Sequence, residues 1–178
     1  MKFERSLISF PLMAAIGVGI FVLDFVSKIL THHYLPLAHQ FFYSSDYPGI
    51  LLFNDLFGGV DLYLTHIGNR GAAWSLLAEW QVPLLFLRIF FICGLFLYLL
   101  KGNSPREWKL PIICILAGAV GNVLDYFLYG HVIDMIHFVF WGYQYPIFNI
   151  ADISIFLGTL LWILHSRKKQ PTYTPNSS

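Results

Sequence analysis

GHVIDMIHF (residues 130–138) and YPIFNIADISI (residues 145–155) are the two stretches on which the reading of this chain turns. Each carries one aspartate, Asp134 or Asp152, and each adjoins a long apolar run. A carboxylate held at or near membrane depth is costly, so such residues mark a functional site by default. Two of them at one membrane face can share a proton and activate a water.

Working outward, the composition is that of a membrane protein. The 178 residues are 57% hydrophobic, 18% aromatic and 12% charged, whereas soluble domains carry about 25% charged residues. A helix needs ~20 apolar residues to cross the hydrocarbon core, and four runs qualify, at about 7–30, 82–100, 110–128 and 148–165. Lys2 and Arg5 precede the first run as in a signal peptide. That run is too long for a signal-peptide core and no A-x-A site clearly follows it, so it reads as a retained helix. The expectation is a mainly α membrane protein, one domain over 1–169 and a disordered tail, QPTYTPNSS, over 170–178.

The segment 31–81 is too long to be a simple connector. Alternation in GGVDLYLTHIG (58–68) reads as a strand, with turns at Pro48-Gly49 and Gly58-Gly59. This predicts a small sheet between helices one and two, resting on the outer membrane interface. The aromatics Phe41, Phe42, Tyr43, Phe53, Phe57, Trp74 and Trp80 suit that layer.

Charge sets the orientation. Lys2, Arg5, Lys101, Arg106, Lys109, Arg167, Lys168 and Lys169 all fall on one side of the four runs. The opposite segments, about 31–81 and 129–147, hold only Arg70. The positive-inside rule then puts both termini in the cytoplasm and the acid pair near the outer face. Lys28 lies at the outer end of the first run, and Arg88 lies in the outer half of the second, where snorkelling accounts for it. A net charge of +1 argues against a nucleic-acid partner. Cys93 and Cys114 sit inside apolar runs, which argues against a disulfide framework.

Other polar residues recur at helical spacing. Asp24 and Lys28 stand four apart and share a helix face, as an interfacial ion pair or as a brace for an outer site. Asn69, Arg70 and Gly71 open NRGAAWS, which by itself reads as a tight turn into helix two. Asn122 and Asp125 stand three apart near the outer end of helix three, and Asn149 and Asp152 do so at the start of helix four. Capping accounts for the last pair, but not for Asp134 or for the pair on helix three. His131 and His137 flank Asp134 without any metal-binding spacing, and no metal or cofactor is expected.

Taken together, LDFVSK (23–28), NRGAAWS (69–75), GAVGNVLD (118–125), GHVIDMI (130–136) and FNIAD (148–152) resemble the lipoprotein signal peptidases, signal peptidase II. The resemblance covers most of the chain in the family's order. It implies a four-helix inner-membrane aspartyl protease of bacteria, with both termini cytoplasmic and the active site near the periplasmic face. The implied substrates are prolipoproteins whose lipobox cysteine carries diacylglycerol, cut just before that cysteine. Membrane lipids surround the enzyme, and cyclic peptide antibiotics inhibit members of the family. By motif, the catalytic aspartates are Asp134 and Asp152. Asp24, Lys28, Asn69, Asn122, Asp125 and Asn149 take the recurrent polar positions, with Arg70 and Gly71 beside Asn69.

Two positions depart from the family. Phe25 stands where Gln usually follows the first aspartate, and Tyr126 stands where Arg usually follows GNxxD. Arg70 is the expected replacement cation. The competing readings are a small proton-coupled transporter using intramembrane acids and a scaffold whose Asn/Asp pairs only cap helices. A short chain, no inverted repeat and acids gathered at one face weigh against the transporter.

Overall fold

The computed structural model describes residues 8–37, 49–70, 78–102 and 104–167. Among these, four helices are long and apolar enough to cross a membrane: α1 (Phe10–Tyr34), α2 (Gln81–Leu100), α3 (Arg106–Tyr129) and α4 (Ile150–Arg167). They coincide with the four apolar runs, and their ends are set by backbone chemistry rather than hydropathy. α1 stops where Leu35 precedes Pro36: Leu35 is extended at φ −112° and ψ 122°, because a following proline disfavours the helical region. α3 stops at Gly130, left-handed at φ 74°, whose N–H donates to Tyr126 O at 2.9 Å in the usual glycine cap.

α3 is the central helix and packs against α1, α2 and α4. Its contact with α4 is made close by glycines. A side chain at Gly118 would collide with Ala151 O and Ser154 Oγ, and a Cβ on Gly158 would lie 2.7 Å from Pro111 O. Small residues at such crossings let membrane helices approach on van der Waals terms. α2 is peripheral, with Leu85 its one buried residue.

A four-stranded antiparallel sheet in the order β1-β2-β3-β4 caps one end of the helices. β1 (Ile50–Leu56) and β2 (Val60–Asn69) lie between α1 and α2, as the alternation predicts, and turn through Gly58 and Gly59. The sheet extends beyond that segment. β3 (Val132–Phe140) and β4 (Tyr143–Gln144) come from between α3 and α4. β1 is an edge strand with Ile50, Leu51, Leu52 and Phe53 all exposed. Pro48 and the 41–43 and 74 aromatics fall outside the described residues.

β3 positions the site. It pairs with β2 in a register that sets Asp134 opposite Ile67 and Val132 opposite Asn69. Phe148 bridges to Ile136 and exchanges backbone hydrogen bonds with it at 2.8 and 3.1 Å. The residue after Phe148, Asn149, is thereby delivered beside Asp134 just where α4 begins.

Candidate active site

Asn149 and Asp152 cap α4 reciprocally. The Asp152 N–H donates to Asn149 Oδ1 at 2.9 Å, and the Asn149 N–H donates to Asp152 Oδ2 at 3.3 Å. This is the capping-box arrangement with Asp in the third helical position. The Asn149 side-chain amide is then free to work sideways. Its Nδ2 donates to Asp134 Oδ1 at 2.7 Å, with longer contacts to Ile133 O at 3.2 Å and Asn122 Oδ1 at 3.3 Å. The other oxygen of Asp134 accepts from Asn69 Nδ2 at 2.9 Å. Asn69 and Asp134 are diagonal neighbours across β2 and β3, which is within reach of polar side chains. The other oxygen of Asp152 accepts from Asn122 Nδ2 at 2.9 Å.

Beneath the acids lies a buried charge cluster. Lys28, 1% exposed, bonds Asp24 Oδ2 at 2.7 Å, Asp125 Oδ2 at 2.8 Å and Asn122 Oδ1 at 2.9 Å. Asp24 Oδ1 accepts the Ala151 N–H at 2.8 Å, so a side chain of α1 caps an orphan donor of α4. Asp125 Oδ2 also accepts the Ile133 N–H at 3.1 Å, which ties α3 to β3. Burying one partner of such a set without the others costs several kcal/mol. The Asp24–Lys28 pair is therefore a brace across three helices and the sheet, rather than a solvated interfacial pair.

Asp134 and Asp152 line one cavity of about 680 Å³. Asn69, Asn122, Arg88 of α2, Val132 and the Tyr145–Phe148 segment share its wall, and α4 supplies residues down to Thr159. The wall is mostly apolar. Phe156 and Leu157 belong to it and are exposed on the outside of the helices, so the cavity opens sideways along α4. A second cavity, about 280 Å³, meets the first at Asn69, Asp134 and Tyr145–Ile147, and His137 and Gln144 line it.

Burial pushes the Asp134 carboxyl up to about 7, and the charge of Asp152 pushes in the same direction; the Asn69 and Asn149 amides and Lys28 only partly oppose them. Burial holds His137 below the usual imidazole range. Burial also lowers His131, helped by the nearby charges of His66, Arg70 and His32. Both imidazoles are neutral at pH 7. The His131 ring packs over Gly68 and that of His137 lies near Tyr63. Among the described residues no three His, Cys, Asp or Glu side chains gather as a metal site.

A family model described as signal peptidase (SPase) II matches residues 16–168. The chain belongs to the signal peptidase II family. It is similar to the lipoprotein signal peptidase of Chlamydia muridarum, 37% identical over 145 residues, which are 80% of this chain and 83% of that one. The lipoprotein signal peptidase of Aeromonas hydrophila is 34% identical over 166 residues, 87% of this chain and 89% of that one. Two solved structures, each titled a bacterial membrane enzyme determined by the in meso method, share the fold. The one at 2.3 Å resolution has a TM-score of 0.76 at 24% identity and covers 95% of both chains. The one at 1.9 Å has a TM-score of 0.70 at 26% identity and covers 90% of this chain and 96% of its own. This peptidase is therefore an aspartic endopeptidase of a bacterial multi-pass membrane fold, and the transporter reading falls away.

The peptidase gathers Asp24, Lys28, Asn69, Asn122, Asp125, Asp134, Asn149 and Asp152 into one bonded cluster. Gly71 lies outside the described residues. Arg70 is exposed at the end of β2 and is not among the residues described as lining the cavity; nor is Tyr126, which stacks edge-on against Phe127 at 5.9 Å. The cation in the wall is Arg88, which sequence reading sets aside as a snorkelling residue. The Tyr145–Phe148 roof also escapes that reading. Its one local signal is an aromatic-proline run directly before the helix cap.

Proposed function

We propose that Asp134 and Asp152 are the catalytic pair of this peptidase, and that the bond they hydrolyse is the one before a diacylglyceryl cysteine in a prolipoprotein. The observation that carries this reading is Asn149, which bonds Asp134 with its side chain and Asp152 with its backbone. One residue thus holds two carboxyls in one mostly apolar cavity. The roles follow from their surroundings. Asp152 sits in the first turn of α4, where the helix dipole favours an anion, and it accepts two N–H bonds. It is the ionised base. Asp134, raised to about 7, carries the shared proton. A carboxylic acid keeps lone pairs for both amide donors and still has an O–H to give.

Asp152 removes a proton from a water as its oxygen bonds to the scissile carbonyl carbon. Asp134 donates its proton to the carbonyl oxygen, giving a neutral tetrahedral diol. On collapse the C–N bond breaks, the amine nitrogen takes the proton held by Asp152, and the diol returns one to Asp134. The pair titrates as a unit, so the two steps share one proton inventory.

A lipid-anchored substrate suits a cavity that opens sideways between helices. Its acyl chains hold the scissile bond at the depth of the acids. Both termini lie in the cytoplasm and the acids at the opposite face, a reading supported by the loop charges. The test is cleavage of a synthetic lipobox peptide by the purified protein, with and without diacylglyceryl on the cysteine. Cutting of the lipidated peptide before cysteine is expected. No cutting of it, or equal cutting of both, overturns the assignment. Inhibition by a cyclic peptide antibiotic belongs to the same reading and is measured in the same assay.

A further inference from the structure

Asp134 and Asn69 border two cavities, and those cavities belong to different layers of the fold. The larger, about 680 Å³, is walled largely by helices: Arg88 of α2, Asn122 of α3, and α4 from Asp152 to Thr159. The smaller, about 280 Å³, has no helical residue among those described in its wall. Ile67 and Asn69 come from β2, Asp134 and His137 from β3, Gln144 from β4, and Tyr145–Ile147 from the segment that leads to α4. β4 places Gln144 opposite Val139, and His137, two residues along β3, is its diagonal neighbour on the same face. Asp134 and His137 are buried, whereas Gln144 is exposed. The smaller cavity thus leads from the acid to a surface made by the sheet rather than by the spanning helices.

The proposed reaction divides its substrate in the same way. On one side of the scissile bond is a signal segment that crosses the bilayer as a helix, since backbone groups in lipid must be satisfied internally. On the other side is the cysteine, held to the membrane by its acyl chains, and then the mature chain. The residue after the cysteine is the first on that side with no lipid of its own. Its Cα lies ~3.8 Å from that of the cysteine, so it enters the space that adjoins the acids on the sheet side. At about 280 Å³ that space falls just below the range for a drug-sized ligand, and it takes one residue rather than a longer segment. Its wall offers amides and a neutral imidazole, with no Lys, Arg or Glu among the described residues. Asp134 carries the shared proton in the proposed mechanism. A charged side chain would therefore find no fixed counter-charge there.

We propose that the sheet-side cavity is the subsite for the residue after the lipidated cysteine, that it takes an uncharged polar side chain, and that Gln144 at its mouth is a specificity-determining residue. This rests on the proposed function.

The experiment uses the full-length protein and diacylglyceryl lipobox peptides with Ser, Asp or Lys after the cysteine. Wild type is expected to cut the Ser peptide best. Gln144→Glu keeps the size of the side chain and adds a negative charge. It should raise the ratio of kcat/KM for the Lys peptide over the Asp peptide roughly three- to tenfold, and Gln144→Lys should lower it by as much. That range is the effect of a partly exposed ion pair counted twice, as attraction and as repulsion. A second peptide set keeps Ser after the cysteine and makes the same Asp or Lys exchange four residues further on. Its ratios should stay near wild type, because that position lies ~13 Å further along an extended chain and exposed charges are screened beyond about 8–10 Å. A purely structural role for Gln144 would lower cleavage of all the peptides together. A wild type that prefers Asp or Lys, ratios that do not follow the charge at residue 144, or ratios that move equally in the second set each overturn the proposal. Cleavage of the Ser peptide by wild type is the control that separates its failure from failure of the functional reading.

Discussion

Asn149 Nδ2 donates to Asp134 Oδ1 at 2.7 Å, so the residue that caps α4 also holds the carboxyl on β3. Helix start and strand are joined at the point where chemistry is proposed. The bridge between Ile136 and Phe148 imposes this by bringing residue 149 alongside β3. Moving either element displaces both acids together.

Asp134→Asn and Asp152→Asn should each reduce cleavage by ~10²–10⁴-fold, the usual range for a removed acid or base. An amide keeps the shape and much of the hydrogen bonding while losing the proton exchange. Thermal melting of the purified variants checks that the fold survives. Turnover near wild type in either variant would contradict the two-acid mechanism.

Cleavage should fall as pH rises through about 7, where Asp134 loses its proton. The stability consequence has a definite sign. Because the folded-state value lies above the ordinary 3.8, the native chain holds a proton that the unfolded chain releases between these values. The contribution is full below 3.8 and is lost as pH climbs through about 7. Asp134→Asn has no such slope, so its melting temperature relative to wild type should rise across that window. Parallel melting curves from pH 4 to pH 8 would refute it.

Lys28→Met should be far more damaging than its distance from the acids suggests. It leaves Asp24 and Asp125 buried without their cation, a loss of about 3–5 kcal/mol for one-sided breakage. Adding Asp125→Asn should restore part of the stability, since one uncompensated charge disappears. A double-mutant cycle on melting temperature measures the coupling, and strict additivity would mean that the brace is not shared.

Gly121→Ala tests how closely the helices meet above that brace. The new methyl would lie 2.5 Å from Asp24 Oδ2, so the carboxylate must move and weaken its bond to the Ala151 N–H. A loss of about 1–3 kcal/mol in stability is expected from overpacking, with slower cleavage. Gly94→Ala on α2 is the control. Nothing lies within 4 Å of a Cβ there, and alanine should be neutral or better by up to about 1 kcal/mol.

Topology is checked by cysteine labelling of spheroplasts with a membrane-impermeant reagent. Ser45→Cys and Tyr143→Cys should label from outside. Asn103→Cys and Ser177→Cys should label only after the membrane is opened. The reverse pattern would put the acids on the cytoplasmic side.

Much of this architecture is written locally along the chain. Apolar runs of ~20 residues specify spanning helices because length and hydrophobicity alone satisfy a bilayer. Alternation over 58–68 specifies β2, since a strand has period two. Asn149 and Asp152 are legible as a cap because their partners lie three residues away. Other relationships are not local. Asp24 meets the Ala151 N–H across 127 residues, Lys28 meets Asn122 across 94, and Asn69 meets Asp134 across 65. Those contacts are set by the packing of α1 against α3 and α4 and by the β2–β3 register, neither of which has a sequence period. Arg88 shows the difference most plainly. Along the chain it is a charge in an apolar helix, and only the packing of α2 on α3 turns that charge into part of the wall of a cavity that it shares with α4.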